Sequence, residues 1–393
     1  MTDRPVAAPE AAFSLLDDPL VRLQRALRLM PRGSFAAPRR AMLYAALAWL
    51  PIMVWAVVTG RLAVGGWTTA VMHHLELHVR CLVALPLLVF SEPLADRVMN
   101  AIVRNFPASG LIHAGDQRRF GDIVASVERL RDSRLAWGLL AALVLATTWL
   151  TSRQPLDAGL DPLEWSSADG GVGFGRAWAL FVVRPLFLLL ALAWLWRLLL
   201  TWVLFARIAR LELQLVPSHP DRTGGLGFVQ LHPAGFSLVV LTMSSVVCAS
   251  VAEQVAENGV PLAQFQAPLV TLVVLLVVLF LLPLTAFGRQ LRRTRMLARF
   301  QYGTLAGRHV RGLHRRWVEG LEVEDAAILD APEIGPAADV ATLYDLTTRM
   351  RPLPIGLQPI LAVVLPAVAP LLPVATLEIP LKDILMKVLG MLT

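Results

Sequence analysis

The stretch WALFVVRPLFLLLALAWLWRLLLTWVLF, residues 178–205, decides the class of this protein. It is interrupted by only two charges, Arg184 and Arg197, and it exceeds the ~20 residues with which an α-helix crosses a ~30 Å hydrocarbon core. The rest of the chain is similar: 56% of its 393 residues are hydrophobic and 17% are charged, whereas about a quarter are charged in soluble domains. The sequence therefore predicts an all-α fold, a polytopic transmembrane helical bundle with cytoplasmic helical extensions.

Several other apolar segments flank this one along the chain. Predicted spans lie at about 41–60, 81–93, 135–151, 178–205, 236–255 and 267–287. The second is short unless it begins near residue 71. The last apolar stretch, 355–379, contains prolines that remove backbone donors, so it is compatible with a seventh span or with a re-entrant hairpin held inside the protein. We expect six to seven spans and favour the seventh.

Arginine is distributed unevenly between the connecting segments. Seven arginines lie in residues 1–40, seven in 96–134, three in 206–232 and eleven in 288–351. The remaining loops hold only Arg61, Arg80, Arg153 and, at a boundary, Arg176. The positive-inside rule therefore places the N-terminus and residues 211–228 and 288–351 in the cytoplasm. It also accounts for the net charge of +7, so no nucleic-acid partner is expected.

The chain divides into four parts on this basis. They are a cytoplasmic arm (1–40), a six-span membrane domain (41–287), a cytoplasmic helical region (288–351), and a proline-rich membrane segment with an amphipathic tail (352–393). In the arm, one apolar stripe recurs every three or four residues: Leu16, Leu20, Leu23, Leu27 and Met30. The stripe predicts a basic amphipathic helix over 13–30, lying on the anionic inner leaflet or packed on the protein.

The sequence LELQLVPSHPDRTGGLGF, residues 211–228, lies between two predicted spans, and its prolines and its glycine pair rule out a continuous helix. We call it the HPDR loop, and its candidate functional residues are His219, Asp221, Arg222, Gly224, Gly225 and Gly227. The glycines would let backbone N–H groups approach a phosphate or carboxylate on which Arg222 closes. The structural alternative is a tight turn in which Asp221 caps the next helical stretch and pairs with Arg222.

Blocks of this sequence resemble a family of uncharacterised bacterial integral membrane proteins. The resemblance is carried by VPSHPDRTGGLGF after a span containing WLWRLLL, by LVALPLLVFSEP, and by the closing PLPIGLQPILAVVLPAVAPLLP with IPLKDILMKVL. It covers roughly residues 41–393 and leaves the arm out. It implies a multi-pass protein of the bacterial inner membrane and no particular activity.

Charged residues inside the predicted spans form a second set of candidates. Arg184 and Arg197 are 13 residues apart (197 − 184), which places them ~220° around and ~20 Å along a helix, so they do not form one site. We expect Arg197 to extend to the headgroups beside Trp194 and Trp196. Arg184 is the better functional candidate, paired with an acid such as Glu253 or Glu92.

Metal and catalytic signatures are weak in this sequence. His74 and His78, four residues apart, would share a helix face, but no cysteine or suitably spaced acid completes a zinc set. No cofactor is expected, and no activated nucleophile or phosphate loop is recognisable, which argues against an enzyme without excluding one. The sequence favours permeation of a small solute or ion. The alternatives are a scaffold or regulatory protein that uses the HPDR loop, and a membrane enzyme. The expected partners are the lipid bilayer, a second copy of the chain and a small anion.

Overall fold

The structure is a computed structural model, and it describes residues 13–29, 36–59, 74–153, 173–321 and 335–377. Across these ranges the regular structure is helical, and the only β-type pairing is an isolated bridge between Ile112 and Leu213. Six helices in the described part of the chain are long and apolar enough to cross a membrane. The predicted all-α bundle is therefore confirmed.

The helices are numbered here in chain order. They are α1 (Pro19–Ala26), α2 (Ala37–Val58), α3 (Leu75–Ala108), α4 (Gln117–Arg131), α5 (Arg134–Ser152), α6 (Phe174–Ile208), α7 (Ser237–Asn258), α8 (Gln266–Leu281), α9 (Gly288–Trp317), α10 (Gly335–Thr348), α11 (Leu357–Val368) and α12 (Leu371–Ala375). The second span, predicted over 81–93, is much longer than expected, because helix continues from Leu75 through the polar residues that follow Pro93.

Both α3 and α6 contain a wider, π-helical turn near their first residues. These turns are Val79–Ala84 in α3 and Ala179–Val183 in α6. Each is followed closely by a proline, Pro86 or Pro185, whose missing N–H and bulky ring disturb the regular hydrogen-bond ladder. Such π-helical turns are frequent at functional sites, and both contribute side chains to the cavity described below.

The N-terminal arm enters the bundle and does not form one long helix. Helix α1 begins at Pro19, so the helix predicted over 13–30 is shorter than expected. Phe13, Leu15 and Leu16 are buried in the main core instead. Leu23 and Leu27 of the predicted stripe are exposed, whereas Val21 is buried. The arm is thus packed on the protein, one of the two placements that the sequence allowed.

The proline-rich stretch after residue 355 forms two short helices, α11 and α12, that follow α7. The hydroxyl of Ser244, in the middle of α7, donates to the carbonyl of Ala367 over 2.5 Å. Val374 packs further along, in a cluster with Val251 and Leu269. Near its start, Gly356 lies against Gln230, at the opposite end of the bundle. The broken helix therefore runs alongside α7 for most of its length.

Candidate functional site

Asp221 is the centre of the HPDR loop. Its carboxylate accepts hydrogen bonds from the backbone N–H groups of Thr223 (2.7 Å), Gly225 (3.1 and 3.2 Å) and Gly227 (2.8 Å). The ring of His219 lies 2.9 Å from the same carboxylate. Partial burial raises the pKa of Asp221, but the backbone hydrogen bonds outweigh it and hold the pKa below its ordinary value. The loop amides that an external anion would use are therefore engaged by the protein's own carboxylate.

The loop also ties separate parts of the chain together. The N–H of Gln214 donates to the carbonyl of Leu111, and the N–H of Arg351 donates to the carbonyl of Arg222 over 2.7 Å. Gly224 and Gly225 have φ angles of 68° and 98°, in the left-handed region that favours glycine. This geometry matches the structural alternative, with one correction: Asp221 pairs with His219 and backbone amides rather than with Arg222.

Four charged side chains meet in the interior of the bundle, contributed by the arm, α2, α3 and α6. We call Asp18, Arg40, Glu92 and Arg197 the buried charge cluster, and each is at most 1% exposed. Arg197 donates from Nε (3.0 Å) and Nη2 (2.7 Å) to Oδ2 of Asp18, and its Nη2 lies 3.5 Å from Oε1 of Glu92. Arg40 donates to Oε2 of Glu92 over 2.5 Å. Two cations and two anions are thus held together by ion pairs.

The cluster corrects the expectation for Arg197. The side chain does not extend to the headgroups, because it is held inside the bundle by Asp18 and Glu92 and lies over the ring of Trp194 at 4.8 Å. Neither Asp18, which pairs with Arg197, nor Arg40, which pairs with Glu92, was a predicted site residue. A signal for Asp18 was present: Asp followed by Pro is a common helix start, and Asp18 accepts from the N–H of Val21 as the N-cap of α1.

A cavity of about 340 Å³ lies between α3, α6 and α7, at the end of the bundle opposite the HPDR loop. We call it the distal cavity. Its polar lining consists of His74, Glu76, Arg80, Arg184 and Glu253. Leu77, Leu180 and Phe187 are among its apolar lining residues. The cavity therefore combines charged groups of both signs with an apolar wall.

Most of the charges in the distal cavity are paired with one another. Arg80 forms an ion pair with Glu76, one helical turn away. Nδ1 of His74 lies 2.8 Å from Oε1 of Glu253, and the backbone N–H of Glu76 donates to Oε2 of the same carboxylate over 2.9 Å. In contrast, Arg184 forms no ion pair or hydrogen bond with any residue that the structure describes. A partly buried guanidinium thus faces the cavity with no direct counter-ion among the described residues.

The expected ion pair of Arg184 with Glu253 or Glu92 is not present. Glu92 belongs to the buried charge cluster, with Arg40 and Arg197, and Glu253 is engaged by His74. Arg184 lines the distal cavity, whereas Arg197 belongs to the buried charge cluster.

His74 and His78 contact different partners and do not form a pair. Nδ1 of His78 accepts from the indole N–H of Trp49 over 3.0 Å, whereas His74 faces Glu253. No group of three or more histidine, cysteine or acidic residues suited to a metal ion is found among the described residues. The weak zinc hypothesis for this pair is not supported by the geometry, because the two rings point to different helices.

Comparison with protein-family models, with curated proteins and with solved structures finds no match to this chain.

Proposed function

We propose that this protein is a multi-pass inner-membrane transporter that binds a small anion in the distal cavity. The observation that carries the proposal is the state of Arg184, which faces the cavity with no ion pair in the described part of the chain. A charge in a membrane-spanning helix is costly and usually faces a cavity or a partner. An anionic ligand would supply that partner.

The remaining lining supports a small organic anion. Arg80 and His74 are occupied by Glu76 and Glu253, so Arg184 is the cation most open to a ligand. A guanidinium binds a carboxylate or phosphate through two parallel hydrogen bonds. Phe187 and the leucines of the wall would contact the apolar part of the ligand. The volume of about 340 Å³ falls at the lower end of the ~300–1,000 Å³ typical of small-molecule sites.

The same two helices link the distal cavity to the other end of the bundle. α3 carries Arg80 and Glu92, and α6 carries Arg184 and Arg197. Trp194 lies between the two arginines along α6, is 1% exposed, and donates its indole N–H to the carbonyl of Leu88 on α3 over 3.1 Å. A ligand that passes between α3 and α6 at this level would require the Trp194–Leu88 contact to open. The broken helix α11–α12 is a further element of the kind that transporters use around a substrate path.

The orientation proposed for this transporter follows from charge. The arginine-rich arm and the α9–α10 region are assigned to the cytoplasm, which places the HPDR loop on the same side and the distal cavity towards the cell exterior. The HPDR loop is assigned no ligand, because Asp221 already occupies its amide groups.

Ligand-dependent stabilisation tests the proposal. Purified protein in detergent is melted with a panel of monocarboxylates, dicarboxylates, zwitterionic amino acids and inorganic phosphate. A ligand present at 100 times its Kd stabilises the folded state by ~2.7 kcal/mol. We expect at least one anion of the panel to raise the melting temperature of wild type and of Arg153→Gln, a control at an exposed arginine. The shift should be absent in Arg184→Gln. An equal shift in Arg184→Gln, or no shift for any member of the panel, would contradict the proposal.

A further inference from the structure

The buried charge cluster supports an inference that does not depend on the distal cavity. We propose that Arg197 and its neighbours form a separate carboxylate-binding site, filled by the side chain of Asp18 from the N-terminal arm. When that side chain is removed, the site accepts a small free carboxylate in its place.

The contacts of Asp18 are those of a bound ligand. Arg197 directs Nε and Nη2 to Oδ2 at 3.0 and 2.7 Å, while Oδ1 accepts from the N–H of Val21 at 2.9 Å. The carboxylate is 0% exposed and Arg197 is 1% exposed. Asp18 is also 179 positions from Arg197 in the chain. The bundle therefore provides the cation, and a separate segment provides the anion.

Charge balance makes the carboxylate necessary. Arg40 and Glu92 form one ion pair within the cluster, which leaves Arg197 to be balanced by Asp18. Among the described residues, loss of Asp18 would leave the cluster with one more cation than anions, at positions that are at most 1% exposed. Removal of one partner of a buried ion pair leaves the other charge uncompensated, and a small anion that enters the vacated space restores the balance.

Further contacts hold the arm in this position. Phe13, Leu15 and Leu16 are at most 2% exposed. The hydroxyl of Ser14 donates to Asp96 over 2.9 Å, and Arg131 donates to the carbonyl of Ser14. These contacts do not involve the carboxylate of Asp18. We therefore expect the arm to stay in place when the Asp18 side chain is truncated. Truncation then leaves a carboxylate-sized space beside Arg197.

Chemical rescue of the full-length protein tests the inference. Wild type, Asp18→Ala and Asp18→Asn are melted in detergent and chloride-free buffer, with sodium formate or an equal concentration of sodium gluconate. Formate carries the planar carboxylate that Arg197 would bind, whereas gluconate is too large for the space that one side chain leaves. We expect formate, relative to gluconate, to raise the melting temperature of Asp18→Ala by several degrees and to leave wild type unchanged. Asp18→Asn retains the side-chain volume and should respond less than Asp18→Ala.

Two control variants identify the site. Asp17→Ala removes the neighbouring, more exposed carboxylate, and it should not respond to formate. Asp18→Ala combined with Arg197→Leu removes both charges, so it should be more stable than Asp18→Ala and should not respond either. If Asp18→Ala is not recovered folded, a second readout replaces melting. Membranes are solubilised in formate or in gluconate, and the amounts of folded protein recovered in the two salts are compared. Rescue by formate that requires Arg197 supports the inference. No rescue of melting or recovery, or equal rescue in the double variant, overturns it.

Discussion

Arg197 and Arg184 lie on one helix but occupy different electrostatic environments. Arg197 is buried, and two carboxylates, Asp18 and Glu92, lie within 3.5 Å of it. Arg184 is partly exposed to the distal cavity and has no ion pair among the described residues. Arg197 should therefore matter more for stability than Arg184, although the sequence favours Arg184 as the functional candidate.

We expect Arg197→Leu to lower the stability of the bundle by ~3–5 kcal/mol, the cost of leaving a buried partner uncompensated. Arg184→Leu should change it by less than ~1 kcal/mol, because no ion pair among the described residues is lost. Unfolding in mixed micelles of increasing denaturing detergent measures both. Equal losses for the two variants would show that the cluster around Arg197 contributes no more than an exposed charge.

The HPDR loop supports a prediction about pH. Because the folded pKa of Asp221 is lowered, its contribution to stability is present above the unfolded pKa of about 3.9 and is lost as the pH falls through the folded pKa. Asp221→Asn should lower stability by ~1–2 kcal/mol at neutral pH. The difference from wild type should shrink below about pH 4. Melting curves from pH 3.5 to 7 test this, and a constant difference would contradict it.

Gly225 supports a second test of the same loop. Its φ of 98° is unfavourable for a branched residue, and an added Cβ would lie 3.3 Å from the side chain of Leu111. Gly225→Val should therefore destabilise the protein more than Asp221→Asn does. Gly121→Ala is a suitable control, since the helical position of Gly121 has no atom within 4 Å of the added Cβ. It should be neutral or slightly stabilising when measured in the same melts.

At the residue scale, the sequence indicated which charges matter better than it indicated their partners. Arg184, Arg197, Glu92 and Glu253 stood out because each interrupts or adjoins an apolar segment. The partner of Arg197 could not be inferred, because Asp18 lies in a polar arm 179 positions away. The hydrogen bonds of Asp221 come from backbone N–H groups within six residues of it. They are therefore of the short-range kind that the tight-turn alternative for the loop assumed.

At the scale of elements, the predicted bounds of a span agree with the helix where the helix and its apolar run end at the same residues. The span predicted over 135–151 is α5, Arg134–Ser152. The length of the helix predicted over 81–93 was too short, because α3 continues as an amphipathic helix beyond its apolar part. Proline placement did not predict the two π-helical turns, since the same residues are compatible with a kink or a helix end.

The broken helix α11–α12 carries a prediction about the C-terminus. Its contacts run from Gln230 at the loop end, through Ser244, to Val251 near the far end of α7. A segment that follows α7 in this way carries the chain across the bundle, so we expect the C-terminus on the side opposite the HPDR loop. Alkaline phosphatase fused after Thr393 should be active, since this enzyme folds only outside the cytoplasm. Activity of a cytoplasmic reporter at the same position would instead indicate a re-entrant hairpin.

At the scale of the whole molecule, the bundle has two separate charged centres along α3 and α6. In the described part of the chain, the distal cavity holds one cation, Arg184, with no direct counter-ion, and the buried charge cluster holds two ion pairs. α3 and α6 contribute to both. The cation that could bind an anion is thus separate from the paired charges, which suits the proposed carrier that binds an anion from one side.

Orientation is the first property of the whole molecule to test. A reporter active only in the cytoplasm should be active when fused after Gly227 or Gly320 and inactive when fused at Gly170, because arginine is concentrated in the first two regions. A reversed pattern would turn the distal cavity towards the cytoplasm and would overturn the proposed direction of binding.

Anion flux into proteoliposomes tests the central claim most directly. Vesicles with wild type, Arg184→Gln or Arg153→Gln are supplied with the radiolabelled anion that best stabilises the wild-type protein, and its uptake is followed over time. The account predicts saturable uptake by wild type and by Arg153→Gln, and uptake at the level of empty vesicles for Arg184→Gln at unchanged protein content. If Arg184→Gln took up the anion as fast as the wild-type protein, or if the wild-type protein showed no uptake, a transport site built on Arg184 would be contradicted.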